Sequence, residues 1–280
     1  MEIITLDKIP LSKITICFNQ AFSDYFVKFN ATESYLRHRW KGAGVDLSLS
    51  AGVVDNGELV AFIIIGFREW QGLKTAFNAG TGVIPSHRGN ALTIKMYNFL
   101  LPKFKAEKVR CLSLEVIQEN VKAIHIYKKV GLKIHRGLHC YGGELKIEQP
   151  HLKDDIEFFE IEEPDFFLFK SFYDFHPAWE NNNKSVTENI EDYNFYGVKN
   201  NNNILAFAIV KAENGYLPQF GVHPKHRQKG IGKFLFSHLS KKYPAMKTNN
   251  IDSSAIHVLK FLEQIGMNNT INQYEMVSYL

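Results

Sequence analysis

The chain has 280 residues, 45 % hydrophobic and 22 % charged, with a formal net charge of +4. This is the balance of a globular protein with enough apolar side chains for real cores, and the length favours two domains over one. The mild charge suits a small anionic ligand and falls short of the concentrated basic face that nucleic-acid binding needs. Cys17, Cys111 and Cys140 are odd in number and widely spaced, which argues against a disulfide framework and for a reducing compartment. The N-terminus carries no signal core, and no run reaches the ~18 apolar residues that span a bilayer. A cytoplasmic protein with no membrane partner is expected.

The chain opens with helical patterns over LSKITICFNQAFSDYF and ATESYLRHRW. Thr32 is placed to cap the second helix, with Tyr35, Leu36 and Trp40 inward. Two apolar runs follow around Asp55-Asn56-Gly57, a strong hairpin signal. KTAFNAGTGVI reads as the next strand. RGNALTIKMYNFLLPKFKAEKV reads as a helix with Leu92, Met96, Phe99 and Leu100 on one face. VRCLSLEVI is a strand, ENVKAIHIYKKVG a helix closed by Gly131, and LKIHRGLHCYGGEL a terminal strand pair.

After the polar joint EQPHLKDD, similar elements recur. They are a strand meander over 194–222, a helix with a glycine loop in HRQKGIGKFLFSHLSKKY, the helix AIHVLKFLEQIG, and a last strand QYEMVSYL. The aromatic stretch DFFLFKSFYDFHPAW reads as core. Gly82-Val83-Ile84-Pro85-Ser86-His87-Arg88 matches Gly221-Val222-His223-Pro224-Lys225-His226-Arg227 at five of seven positions, each copy between a strand and a helix. A repeat of this kind implies two copies of one fold. The expected domains are 1–147 and 148–280.

In G-V-x-P-x-H-R-Q-K-G-I-G the proline ends a strand, and the glycines let backbone N–H groups approach a ligand that a Cβ would block. Those groups lie at a helix N-terminus, where free donors and the helix dipole favour a phosphate. A Walker loop is excluded because Arg227 and Phe234 occupy its Gly and Ser/Thr positions, and the G-x-G-x-x-G fingerprint is absent. What remains, R-x-x-G-x-G after a V-x-P strand end, resembles the pyrophosphate loop of the GNAT superfamily of acetyl-CoA-dependent N-acetyltransferases. The second signature of that family, N-x-x-A-x-x-x-Y-x-x-x-G-F, is matched by Asn120, Ala123, Tyr127 and Gly131, with Leu132 in place of the phenylalanine.

The resemblance implies an α/β protein of two tandem GNAT folds, each a mixed, mostly antiparallel sheet with splayed central strands flanked by helices. It implies acetyl-CoA as acyl donor, with Gly82, Val83, Arg88, Gly89, Asn90, Ala91, Leu92 and Thr93 around it in the first half. Val222, Arg227, Gln228, Lys229, Gly230, Ile231 and Gly232 are the corresponding residues of the second. It gives Tyr127 the role of acid toward the departing thiolate and Asn120 that of holding the pantetheine arm or acetyl region. A phenol near pKa ~10 can serve a thiolate whose thiol titrates near ~8.5. Glu115 is the positional favourite for the base, with Glu69 and Asp24 as alternatives.

Each half departs from the pattern. Ala91 and Thr93 replace family glycine or small residues, a modest change for Ala91 if its φ stays negative. The second half holds Leu262 and Ala255 where tyrosine and asparagine belong, so the first half is expected to perform the chemistry. His135, His139 and Cys140 lack further ligands nearby, so no metal is expected. The expected reaction is direct acetyl transfer to a primary amine, most simply of a small molecule, by a monomer or homodimer. A non-catalytic CoA-binding or regulatory protein, or acetylation of a protein N-terminus or lysine, remain alternatives.

Overall fold

The structure is a computed structural model that describes residues 1–26, 30–152 and 155–280. They form two compact units, Met1–His135 together with Tyr274–Leu280, and Arg136–Gln273. The sequence division at 147/148 and the packing division therefore differ by one strand at each end. The chain's last residues belong to the first unit, and most of the strand closing the first half belongs to the second. Part of the joint EQPHLKDD, residues 153–154, lies outside the described residues.

The first half runs β1 (Glu2–Thr5), α1 (Leu11–Ala21), α2 (Glu33–Ala43), β2 (Ala51–Asp55), β3 (Glu58–Trp70), β4 (Leu73–Val83), α3 (Leu92–Ala106), β5 (Cys111–Ile117), α4 (Val121–Lys129) and β6 (Lys133–Glu144). The predicted strand pair over 132–145 is thus the single strand β6. The hairpin between β2 and β3 turns at Asn56 (φ 50°) and Gly57 (φ 81°), as its sequence predicts. Thr32 caps α2 by accepting from the Tyr35 N–H at 3.1 Å. Leu36 and Trp40 are buried, whereas Tyr35 points outward at 45 % exposure, a correction to its inward reading. β3 is apolar without alternation because both its faces are covered: Ala61, Ile63 and Ile65 pack toward α3, and Leu59, Phe62 and Ile64 toward α1 and α2.

The second half runs β7 (Ile156–Glu160), α5 (Phe166–Lys170), α6 (Asn183–Glu188), β8 (Tyr193–Asn200), β9 (Asn203–Lys211), β10 (Gln219–Val222), α7 (Ile231–Lys242), β11 (Ala245–Asp252), α8 (Ile256–Gln264) and β12 (Asn268–Tyr279). In the first unit the strand order is β1-β2-β3-β4-β5, then the C-terminal part of β12. Met276 of β12 is buried in the same core as Leu114 and Met96. In the second unit β10-β9-β8-β7 form one antiparallel sheet, and β11 pairs antiparallel with β6. The aromatic stretch is core as read, with Phe169, Phe172 and Trp179 fully buried, while Phe167 is 90 % exposed. Among the described residues no helix is long and apolar enough to cross a membrane.

In each unit two strands part company. β4 and β5 run parallel only from Thr75–Cys111 to Asn78–Leu114, after which β4 continues unpaired on that side to Val83. A bulge at Ala79, where Ile64 pairs Gly80 and Ile65 pairs Asn78, marks the same point on the other side of β4. In the second unit β10 and β11 lie in different sheets, and only a parallel bridge from Tyr216 to Lys247 precedes their separation.

Candidate active site

The two glycine loops share one backbone conformation. Left-handed residues are Gly89 (φ 85°) and Ala91 (φ 53°) in the first, and Gln228 (φ 58°) and Gly230 (φ 83°) in the second. Each loop thus has glycine at only one of its two left-handed positions, and the choice is opposite. Ala91 does not keep a negative φ; it sits in a region that costs a residue with a Cβ roughly 1–2 kcal/mol. The first intrahelical bonds are Lys95 N–H to Ala91 O and Phe234 N–H to Gly230 O. The N–H groups at Leu92, Thr93 and Ile94, and at Ile231, Gly232 and Lys233, precede them in the helix ladder. The side chains of Leu92, Thr93 and Ile231 are buried, so these residues have backbone rather than side chain to offer an anion.

Arg88 and Arg227 hold the loops from behind. Arg88 Nε donates to Val83 O at 3.1 Å, Nη2 to Ala21 O at 3.1 Å, and the guanidinium forks onto Asp24 at 2.6 and 2.7 Å. Arg227 Nε donates to Val222 O at 3.0 Å and Nη2 to Phe172 O at 3.0 Å, and Nη1 pairs with Asp174 at 2.8 Å. Both arginines are clamps between the loop and a preceding segment. Asn90 Nδ2 donates to His87 O and Lys229 Nζ to Lys225 O, further ties inside each loop. Gly82 is required by packing, since a Cβ there would lie 2.5 Å from Phe62 and 2.8 Å from Ala21. Gly221 meets Phe172 O at 2.9 Å in the same way. Gly232 has no such restriction, its nearest neighbour being Phe261 at 3.4 Å.

The first splay is polar. Asn78, at the last β4–β5 pair, donates from Nδ2 to Thr81 Oγ1 and to Tyr97 Oη, both at 2.7 Å, while its Oδ1 accepts the Gly80 N–H at 3.0 Å. Gly80 has open space where a Cβ would be. Tyr127 on α4 stands edge-on to Tyr97, with ring centroids 6.4 Å apart. Burial pushes its phenol up to about 12; the neighbouring Thr81 and Asn78 side chains act against that rise, and Tyr25 adds to it. Asn120 caps α4, its Oδ1 accepting from the Ala123 N–H at 3.2 Å, and its side chain also faces the Tyr25 hydroxyl. Tyr127 and Asn120 are thus brought to one cluster with Asn78, Thr81, Tyr97 and Tyr25, four residues the sequence reading missed. A signal for Asn78 existed: asparagine is depleted in strands, and AFNAG places one amid small apolar neighbours.

Of the carboxylates, Glu115 is half-buried on β5, one residue past the last β4–β5 pair. Asp24 is the partner of Arg88, and that hydrogen bond holds its carboxyl below the usual range. Glu69 is exposed beside the β3–β4 turn, paired across from Lys74 at the far end of β4 from the splay. Glu115 is the one of the three that stands at the opening. Among the described residues no group of three or more His, Cys, Asp or Glu side chains could hold a metal ion.

The second splay is filled by its own chain. Asn181 is 3 % exposed and bridges the two parted strands. Its Nδ2 donates to Asn249 O of β11 at 2.8 Å, and its carbonyl accepts from Gln219 Nε2 of β10 at 2.6 Å. Its Oδ1 accepts from the Tyr216 hydroxyl, and the Tyr173 hydroxyl lies 2.7 Å from Gln219 Oε1. The remaining cavity is about 10 Å³, lined by Phe175, Pro177, Phe220 and Ile251 among others. That is room for one water at most. Counting back from Val83 and Val222, Gln219 stands where the first unit has Gly80, and Leu217 where it has Asn78. Leu262 is fully buried in the place of Tyr127, and Ala255 begins α8 with no side-chain cap. The loop is covered as well: Leu152 lies 3.1 Å from where a Gly230 Cβ would be, with Pro150 behind it at 3.8 Å.

Two segments of the chain, 16–132 and 156–266, match the acetyltransferase (GNAT) family. The chain belongs to that family, as a tandem of two GNAT domains, and is by that membership an acyltransferase. Among solved structures it is similar over its whole length to a tandem GNAT protein from the clavulanic acid biosynthesis pathway, at 12 % identity, covering 99 % of this chain and 98 % of that one with a TM-score of 0.74. A GCN5-related N-acetyltransferase from Sphaerobacter thermophilus gives 13 % identity, 99 % and 95 % coverage, and a TM-score of 0.73. A putative acetyltransferase from Pyrococcus horikoshii gives 12 %, 100 % and 88 %, and 0.67. At these identities the likeness is one of fold. No curated protein matches the chain.

Proposed function

We propose that the first unit carries the acyl-transfer site and moves an acetyl group from acetyl-CoA to a primary amine of a small molecule. The observation that carries this reading is the contrast between the splays. The first leaves open space at Gly80 and carries Tyr127, Asn120 and Glu115; the second is closed by Asn181 and Gln219 and has leucine in place of the tyrosine.

In the first unit the backbone N–H groups of the α3 first turn would take the pyrophosphate, with Arg88 fixing the loop that presents them. β4 beyond Asn78 has a backbone edge unpaired toward β5, suited to the amides of a pantetheine arm and to the thioester carbonyl. The amine nitrogen attacks the carbonyl carbon, a C–N bond forms, and the C–S bond breaks with its electron pair passing to sulphur. The proton shed by the attacking nitrogen goes to Glu115 or to a water it holds. Tyr127 Oη supplies hydrogen to the sulphur and recovers a proton from solvent as the thiol leaves, so one amine and one thioester give one amide and one thiol. A phenol at about 12 is a weaker acid than a thiol near ~8.5, so Tyr127 acts by donating a hydrogen bond to the developing thiolate before the proton moves.

The test is release of free thiol from acetyl-CoA against a panel of aliphatic, aromatic and peptide amines. Turnover with intersecting double-reciprocal lines, and CoA bound at one per chain by calorimetry, is the expected result. A wild-type chain that binds CoA yet releases no thiol with any amine would replace this reading with a binding role.

A further inference from the structure

Gly80 is a glycine that neither backbone nor packing requires. Its φ lies outside the left-handed region, and a Cβ there would have nothing within 4 Å. Glycine weakens a strand interior, and what it preserves at this position is space. The β3–β4 register says which face that space is on. Gly80 pairs with Ile64 and Gly82 with Phe62, and directly opposed residues share a face. Ile64 and Phe62 belong to the core under α1 and α2, so Gly80 opens on that face. On β5, Leu112, Leu114 and Val116 belong to the opposite core together with Tyr127, so by alternation Glu115 also stands on the α1 face. Glu115 is one residue and Gly80 two residues beyond the last β4–β5 pair, Asn78 with Leu114. They therefore flank the parting from its two strands, on the face away from Tyr127.

The wall beside this opening is aromatic. Ala21, at the end of α1, covers the next position on the same face: a Gly82 Cβ would lie 2.8 Å from Ala21 Cβ and 2.5 Å from Phe62 Cζ. From Phe62 the rings step outward, with centroids 6.1 Å apart to Phe22, 5.0 Å from Phe22 to Tyr25 and 5.3 Å from Tyr25 to Phe26. Phe22 and Tyr25 are half-buried and Phe26 is 57 % exposed, so the row ends in water rather than in a core. Asp24, within that row, is committed to Arg88.

We propose that this face is the acceptor subsite and that it takes a primary amine carried on an aromatic or aliphatic group with no second charge. This rests on the acyl-transfer reading above. The amine nitrogen meets the thioester carbon between Gly80 and Glu115, its proton passes to Glu115, and the thiol leaves on the Tyr127 side of the sheet. The apolar group of the acceptor lies along Phe22, Tyr25 and Phe26. A sugar amine or a polyamine would have to shed water against the Phe22 and Phe26 rings, which return no hydrogen bond. The second unit shows what a side chain does at this position. Gln219, the counterpart of Gly80, donates to Asn181 O and Asn183 Oδ1 at 2.6 and 3.0 Å and closes its own splay.

The test sets phenethylamine and hexylamine against spermidine and glucosamine at saturating acetyl-CoA. The first pair should give a kcat/KM higher by about tenfold or more. Gly80→Gln meets no obstacle at its Cβ. It should lower kcat/KM for phenethylamine by about tenfold or more and leave the CoA Kd from calorimetry within about twofold. Phe26→Ala, at an exposed position, should raise the phenethylamine KM by about threefold or more at unchanged kcat. A second arm needs no turnover. The 19F NMR signal of 4-fluorophenethylamine should broaden on adding the wild-type CoA complex and not on adding that of Gly80→Gln. Turnover confined to spermidine or glucosamine, a Gly80→Gln protein that acetylates phenethylamine as fast as wild type, or no broadening with wild type overturns the proposal and leaves acyl transfer standing. Broadening that depends on Gly80 in a chain that transfers nothing supports the subsite and removes the acyl-transfer reading.

Discussion

The two splays have the same backbone origin and opposite contents. In the first, Gly80 leaves open space and a polar cluster is built around Asn78; in the second, Gln219 reaches from the corresponding position to Asn181, which in turn reaches β11. Parted strands expose N–H and C=O groups that must find partners. On the proposed reading the first unit keeps them for a ligand, whereas in the second the Asn249 carbonyl is taken by Asn181 of the same chain. Asn181 offers the same kinds of group as a pantetheine amide, a carbonyl and an N–H donor. With the first unit as the working half, as proposed, a retained glycine loop is not what marks it. HRQKGIGKFL has the better glycine at its left-handed helix cap, yet Leu152 and Pro150 lie on that glycine and the groove beyond it is closed.

The largest test of this contrast is catalytic. Tyr127→Phe should lower kcat by about a hundredfold or more with little change in acetyl-CoA KM, whereas Leu262→Ala, which empties a core position, should lower the melting temperature and leave kcat per folded molecule unchanged. Thiol-release kinetics and thermal melts separate the two, and a loss of kcat in both would erase the distinction between the halves.

Alkaline stability comes next. Tyr127 is raised from its ordinary value of 10 to about 12 in the folded chain, so the unfolded chain loses this proton first. Its contribution is complete below pH 10 and is lost as pH rises through 12, by about 3 kcal/mol. Urea titrations between pH 10 and 12 should show a shallower decline for Tyr127→Phe than for wild type.

The plug is tested by Asn181→Ala, which leaves the Tyr216 hydroxyl and Asn249 carbonyl without this partner and should cost about 2 kcal/mol. The first unit should keep its kcat, and a second CoA equivalent appearing by calorimetry would show that the plug alone excludes the ligand. The smallest effect belongs to the loops. Ala91→Gly relieves a left-handed alanine and should stabilise by about 0.5–1 kcal/mol, while Gly230→Ala adds that strain and crowds Leu152, costing about 1–2 kcal/mol. Opposite shifts in melting temperature would confirm that the two loops share one conformation.

Much of the fold could be read from residues close together in the chain. The Asn56-Gly57 hairpin, the Thr32 cap, the repeat of G-V-x-P-x-H-R and the helices that follow it depend on neighbours within a few positions. The Tyr127 and Leu262 contrast was legible for the same reason, since each lies at a fixed distance before a helix-ending glycine. Tyr35 was misplaced because helical spacing puts it next to Leu36 at the border of the buried face, where the angle alone does not decide exposure. Ala91 was misjudged because a positive φ is imposed by the whole loop and not by its residue type.

What only the tertiary structure decided are the contacts between distant segments. Arg88 looks like an anion ligand in sequence, but its guanidinium meets Asp24 and Ala21, 64 and 67 positions earlier. QYEMVSYL reads as a strand wherever it goes, because backbone pairing is indifferent to side chains. Burial of Met276 in the first unit's core assigns it there. The Asn run at 181–183 has turn composition, and nothing local foretells that Asn181 closes a gap between strands near 219 and 249. The sequence alone determined the family, the duplication and the one tyrosine. The fold decided which loop lies open, which arginines are clamps and which side chains surround that tyrosine, because each depends on partners tens of residues away that only folding brings together.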